Sequence, residues 1–153
     1  KDAAKLFEAV RSDLPCMDSS ERKAKRYKLS PTGNDETQDH YKTREFGNPD
    51  GDVYLTTSYE LRDGKPQNTL SVSVYGSGED YPANLTNAFA DIWDLPAPTP
   101  LRTDPATAQF NWQVTFPNGA MQIIVSYSPS SGLTQIYGRT LDLRKDQING
   151  CPR

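Results

Sequence analysis

The chain has 153 residues, 24% of them charged, and a net charge of −3. That length predicts one domain over residues 1–153 with a real core. The acidic balance, with a pI near 5.1, excludes a general nucleic-acid binder, and no apolar run is long enough to predict a membrane span.

Asp2 to Leu14 reads as a helix, because Ala3, Leu6, Phe7, Val10 and Leu14 recur on one face and Pro15 stops the run. The basic stretch that follows, with Arg22, Lys23, Lys25, Arg26 and Lys28, is expected to be a solvated strand or turn whose charges blunt a sheet edge. Residues 31–40 read as a loop, and Tyr41 to Phe46 as a strand. GNPDGD at 47–52 reads as a turn. Counting twelve from Asp50 reaches Leu61 rather than the Glu that an EF-hand loop needs.

Asp52 to Glu60 and Asn68 to Gly76 form a hairpin if Asp63-Gly64 is its turn. Val53 then faces Val74, Leu55 faces Val72 and Thr57 faces Leu70. The reverse side carries Tyr54, Thr56, Ser58, Thr69, Ser71, Ser73 and Tyr75. A second helix is expected over roughly Ala83 to Leu95, with Leu85, Ala88, Phe89, Ile92 and Trp93 as its stripe. PAPTP at 96–100 reads as a stiff connector.

Gln109 to Leu143 is the most legible stretch. Asn118-Gly119 is a strong type I′ turn signal, because both turn positions need positive φ. Folding there sets Phe116 against Met121, Val114 against Ile123, Trp112 against Val125 and Phe110 against Tyr127. Asn111, Gln113, Thr115 and Gln122 fall on the opposite side. The last strand, Leu133 to Leu143, offers two registers. Leu133, Tyr137 and Leu141 carry more apolar area than Ile136, so they are expected inward, after a five-residue loop from Ser128 to Gly132. The resulting fold class is α+β: an antiparallel sheet of hairpins and a meander, with two helices covering its apolar face.

Chemistry is sparse. His40 is the only histidine and sits in a polar loop, and no nucleophile elbow, zinc-protease motif, Walker A or dinucleotide fingerprint occurs. No cofactor, metal site or catalytic residue is therefore expected. Asn84-Leu85-Thr86 is a glycosylation sequon inside an expected helix. Cys16 and Cys151 are too far apart in sequence for a CxxC element. As a disulfide they would close a loop worth about 4–5 kcal/mol on a chain-entropy model. With a start at Lys1 that fits a processed N-terminus, the pair points to a periplasmic or secreted protein.

What remains is a hydroxyl- and amide-rich sheet face. Tyr54, Thr56, Ser71, Ser73 and Tyr75 lie on one ribbon, and Asn111, Gln113, Thr115 and Gln122 on the other. Tyrosine gives contact area at small entropy cost, and hydroxyls adapt their hydrogen bonds. The expectation is a non-enzymatic module that binds another protein, such as an inhibitor or immunity protein of a toxin or lytic enzyme. The alternatives are a small carboxylate-based hydrolase of sugar polymers, which needs two carboxylates across a cleft, and a structural envelope component.

Overall fold

The computed structural model describes residues 3, 5–7, 20–38, 41–63, 65–76, 78, 80–81, 83–85, 87–88, 99–102, 108–116 and 119–141. Its framework is one nine-stranded antiparallel sheet. The strands are β1 (Ser30–Pro31), β2 (Glu36–Gln38), β3 (Tyr41–Gly47), β4 (Val53–Arg62), β5 (Lys65–Val74), β6 (Thr99–Arg102), β7 (Ala108–Phe116), β8 (Gly119–Ser128) and β9 (Leu133–Leu141). Their order across the sheet is β1-β3-β4-β5-β9-β8-β7-β6, with β2 also pairing β3. Two ribbons, β3–β4–β5 and β9–β8–β7–β6, are thus joined through β5 and β9.

The β4–β5 hairpin has the expected register, with Val53↔Val74, Leu55↔Val72 and Thr57↔Leu70. Arg62 pairs with Lys65, so Asp63 and Gly64 form the two-residue connection. Asp63 has φ +53°, as the first position of a type I′ turn demands.

The β7–β8 hairpin differs from expectation. Phe116 pairs with Gly119, Val114 with Met121, Trp112 with Ile123 and Phe110 with Val125, so Gly119 belongs to the ladder rather than to the expected turn, and residues 117 and 118 lie outside the described residues. The pairing moves by two residues, which leaves every residue on its own face. Apolar sorting is therefore blind to this difference. The expected register would have placed Pro117 in the ladder, where it has no N–H to donate.

Strand β9 overturns the expected five-residue loop. Ser128 pairs with Leu133, Tyr127 with Thr134 and Val125 with Ile136. The connection is the four residues Pro129 to Gly132. Gly132 takes φ +60° and donates its N–H to the Pro129 carbonyl at 3.4 Å. Ile136 is fully buried, and Tyr137 is half-buried on the opposite face. The expectation compared apolar area alone. Leu133, Tyr137 and Leu141 share their face with Gln135 and Arg139, and burying an amide and a guanidinium outweighs a few more apolar carbons.

The inner face carries the core. Its central row runs Phe46↔Leu55↔Val72↔Ile136↔Val125, all buried. Ala3, Leu6 and Phe7, three residues of a helical segment, belong to the same buried cluster. So do Ala24, Leu29 and Leu85. Of the two helices expected over 2–14 and 83–95, only residues 3, 5–7, 83–85 and 87–88 are described, all of them helical; the remainder lies outside the described residues, as do His40, Cys16 and Cys151. Thr99 and Pro100, expected in a connector, instead open edge strand β6.

The basic stretch is helix α1 (Ser20–Arg26), not a strand or turn. Its end is a Schellman arrangement: Leu29 N–H reaches the Ala24 carbonyl, Lys28 N–H reaches that of Lys25, and Lys28 takes φ +62°. Ala24 and Leu29 are both buried, which supplies the hydrophobic contact that accompanies this cap. Lys23, Lys25 and Arg26 lie in the last turn, where cations meet the negative end of the helix dipole.

Two substitutions test the β9 register. Ile136→Ala should cost about 2–5 kcal/mol, because it opens a cavity between Val72 and Val125. Tyr137→Ser should cost no more than about 1 kcal/mol. Denaturant midpoints of the two variants read the difference, and equal losses contradict the register.

The inner face also carries Tyr59, buried, whose hydroxyl has no partner among the described residues. Burial raises its pKa above the ordinary 10.0. Above that pH the unfolded chain loses the proton while the folded one retains it. This contribution to stability is thus complete below pH 10 and lost as pH rises beyond it. Tyr59→Phe should flatten the alkaline loss and leave stability at pH 7 unchanged or higher by up to about 1 kcal/mol. Denaturant melts at pH 7 and across the alkaline range check both parts.

Candidate functional site

Strand alternation puts the outer face in rows, as it does the inner. One row runs Glu45↔Thr56↔Ser71↔Tyr137↔Ile124↔Asn111, and the next Gly47↔Tyr54↔Ser73↔Gln135↔Ser126↔Gln109. A third runs Thr43↔Ser58↔Thr69↔Arg139↔Gln122↔Gln113. The hydroxyl and amide positions expected on two separate ribbons therefore share one face.

They do not all meet. Tyr54, Thr56, Ser71, Ser73 and Tyr75 converge on one depression of about 410 Å³, completed by Asn34, Glu45, Gly51 and Gln135. Gln122 lies apart, where its Oε1 accepts from Arg139 Nε at 2.7 Å. Asn111, Gln113 and Thr115 hold outer-face register positions opposite Ile124, Gln122 and Ala120.

Each wall of the depression has a local cause. The Tyr54 and Tyr75 rings meet edge to face, with centroids 5.9 Å apart and planes at 89°. Tyr75 is 44% exposed, the most exposed large apolar side chain among the described residues. Its N–H is held by the Asp52 carbonyl at 2.8 Å. Tyr54 lies across from Gly47, and a methyl on Gly47 would come within 3.0 Å of the ring. A glycine is what lets the ring settle against the neighbouring strand.

The 48–52 turn is pinned from inside by the Asn48 side chain. Asn48 Oδ1 accepts from the Asp52 and Val53 N–H groups at 3.0 and 3.1 Å, and Asn48 Nδ2 donates to the Asp52 carboxylate. This turn places Gly51 on the rim. No group of three or more His, Cys, Asp or Glu among the described residues is placed to hold a metal ion.

Glu45 is the one carboxylate among the described residues lining the depression. Its Oε1 accepts from Thr32 Oγ1 at 2.9 Å and from Asn34 Nδ2 at 3.1 Å. Its N–H donates to Asp35 Oδ1 at 3.3 Å, and the Thr32 N–H donates to its carbonyl at 3.1 Å. The 32–35 loop is thus stitched to β3 around a single side chain.

Sequence reasoning missed Asn34, Glu45, Gly51 and Gln135. Glu45 was findable: Phe46 fixes the parity of β3, so Glu45 points outward, and the 48–52 turn sets it beside Thr56. Gln135 was lost with the wrong β9 register.

A second cavity, about 320 Å³, opens at the inner end of the sheet between Ala3, Leu6, Leu29, Val53, Val74 and the rings of Tyr27 and Tyr81. Its wall is mostly apolar, whereas the outer depression brings several polar groups onto one spot. No helix among the described residues is long and apolar enough to cross a membrane. In comparisons with known proteins, the chain matches no family model, no curated protein and no solved structure.

Proposed function

We propose that this chain is a non-enzymatic binding module whose outer sheet face docks onto another protein, in the manner of an inhibitor or immunity protein. One observation carries the reading: five side chains singled out for their contact chemistry gather in one depression, with an exposed tyrosine on its rim. In this reading the two helical segments cover the inner face and leave the outer one to the partner. Tyrosine rings, hydroxyls and amides on a rigid sheet are the ingredients of an adaptable paratope. A two-carboxylate hydrolase draws less support here, since Glu45 alone supplies a carboxylate to the lining.

The test compares wild-type protein with Ser73→Arg, which fills the depression without touching the inner face. Both are immobilised and exposed to an extract of the native envelope or medium. A partner retained by wild type and lost by a folded Ser73→Arg supports the reading. A partner retained equally by both removes the outer face from the function.

Export is part of the same proposal, carried by a Cys16–Cys151 disulfide in an oxidising compartment, periplasmic or extracellular. Protein isolated under non-reducing conditions should resist thiol alkylation until a reductant is added. Immediate labelling of both cysteines removes the support for export.

A further inference from the structure

We propose that the outer depression is a seat for an arginine side chain of the protein partner. This rests on the docking reading above and names the group that the face recognises.

The first argument is shape. Tyr54 and Tyr75 stand at 89° to one another, so their rings bound a corner rather than a flat platform. A corner lets a compact cation contact two ring systems at once, as in the aromatic cages that hold methylated lysine. A sugar ring, by contrast, stacks along one plane.

The second argument is charge. Glu45 is the only ionisable carboxylate in the lining, and no cation pairs with it among the described residues. Its recorded partners, Thr32 and Asn34, are neutral and both use Oε1. Asp35 approaches from behind through the Glu45 N–H, and Asp50 and Asp52 flank Gly51 on the rim. No Lys or Arg among the described residues lines the depression. Arg139, a cation on this face, is four residues along β9 from Gln135, roughly 13 Å away, and is turned to Gln122; Arg62 and Lys65 hold outer-face register positions at the far end of the β4–β5 hairpin, eight residues along each strand from Tyr54 and Ser73.

The third argument is donor count, and it selects arginine over lysine. Thr56, Ser71 and Ser73 hydroxyls, the Gln135 amide and the Glu45 carboxylate place five side-chain acceptors around one cavity. A guanidinium carries five N–H donors in a planar fork and stacks on aromatic faces. An ammonium carries three donors on a point charge. Gln135 already reaches toward Ser73, Nε2 to Oγ at 3.5 Å, so its amide can turn its oxygen to an incoming donor by exchanging a long bond.

The experiment titrates the whole protein with N-acetyl-arginine methylamide and follows backbone amide shifts by NMR. Shifts confined to Gly51, Tyr54, Ser73, Tyr75 and Gln135, saturating in the millimolar range, are expected. The citrulline analogue has the same shape without the charge and should bind at least tenfold more weakly. Glu45→Gln and Tyr54→Ala should each weaken the arginine probe at least fivefold, with circular dichroism confirming the fold.

Equal binding of arginine and citrulline analogues overturns the proposal. So does stronger binding of the lysine analogue, of choline or of N-acetylglucosamine, which would assign the seat to another ligand class. If the arginine probe fails while Ser73→Arg still abolishes partner capture, the docking face stands and the arginine seat falls. If the probe binds as expected but Ser73→Arg leaves capture intact, the docking reading falls instead, and the proposed occupant falls with it.

Discussion

The pairing of β5 with β9 is the constraint on which the molecule depends. Val72 opposite Ile136 joins two ribbons that would otherwise be separate hairpin systems. With Phe46, Leu55 and Val125 they make a row of five buried side chains across five strands. Each contributes about 1.5–3 kcal/mol by leaving water. A slip of one residue at this joint would turn the whole of β9 over and put Gln135, Tyr137 and Arg139 into the core. The dry row therefore fixes the wet one. Once Val72 meets Ile136, Ser71 must meet Tyr137 and Ser73 must meet Gln135 on the other side.

That coupling gives the outer depression its rigidity. Three of its walls are strand side chains on β4, β5 and β9, held by ladders on both sides. The fourth is the 32–35 loop, tied to β3 through Glu45. Tyr54 also borders a second hollow beside Pro31, Thr32 and Pro49, so its ring stands as a partition between two concavities. A side chain fixed in this way loses little entropy on binding, which favours a preformed contact over an induced one. The remaining cross-strand contacts on this face, such as Thr43 with Ser58 at 2.6 Å, keep hydroxyls satisfied without any partner.

How much of this was legible in the sequence follows from what each signal measures. Asp63-Gly64 and clean alternation were enough for β4 and β5, because the turn chemistry and the pattern agreed. In β7 and β8 the pattern alone had two solutions two residues apart, and Pro117 held the deciding information. For β9 the sorting rule was applied to apolar residues only. Gln135 and Arg139 carried the opposite and stronger message, since polar burial costs more per residue than apolar burial returns. Helix α1 was missed because SERKAKR has a single buried position among its described side chains, Ala24, and so no apolar stripe to read. Its arginines and lysines are nonetheless good helix formers, and its end is fixed by a cap whose positive-φ residue is Lys28, not the glycine that would have announced it. Five side chains of the depression were found from face parity, and Glu45 was open to the same reading through Phe46, while the Gln135 amide depended on the register of β9.

The edges of the sheet are as constrained as its faces. An open sheet invites another chain to add a strand along its border. Here one border is shared by β1, of two residues, and β2, of three, both laid against β3 and separated by the loop that Glu45 holds. Pro31 sits within that border. The opposite border is β6, four residues long, with Pro100 in its ladder and a register shift between Pro100 and Arg102. Proline removes donors and a bulge twists the strand away, so neither border offers a long run of evenly spaced N–H and C=O groups. Among the described residues both borders are thus poor templates for strand addition, while the outer face keeps its side chains half-exposed over the five strands β3, β4, β5, β9 and β8. Blunted edges and a polar outer row come from one arrangement: short, proline-bearing strands at the described borders and long central strands whose alternation points hydroxyls, amides and rings outward.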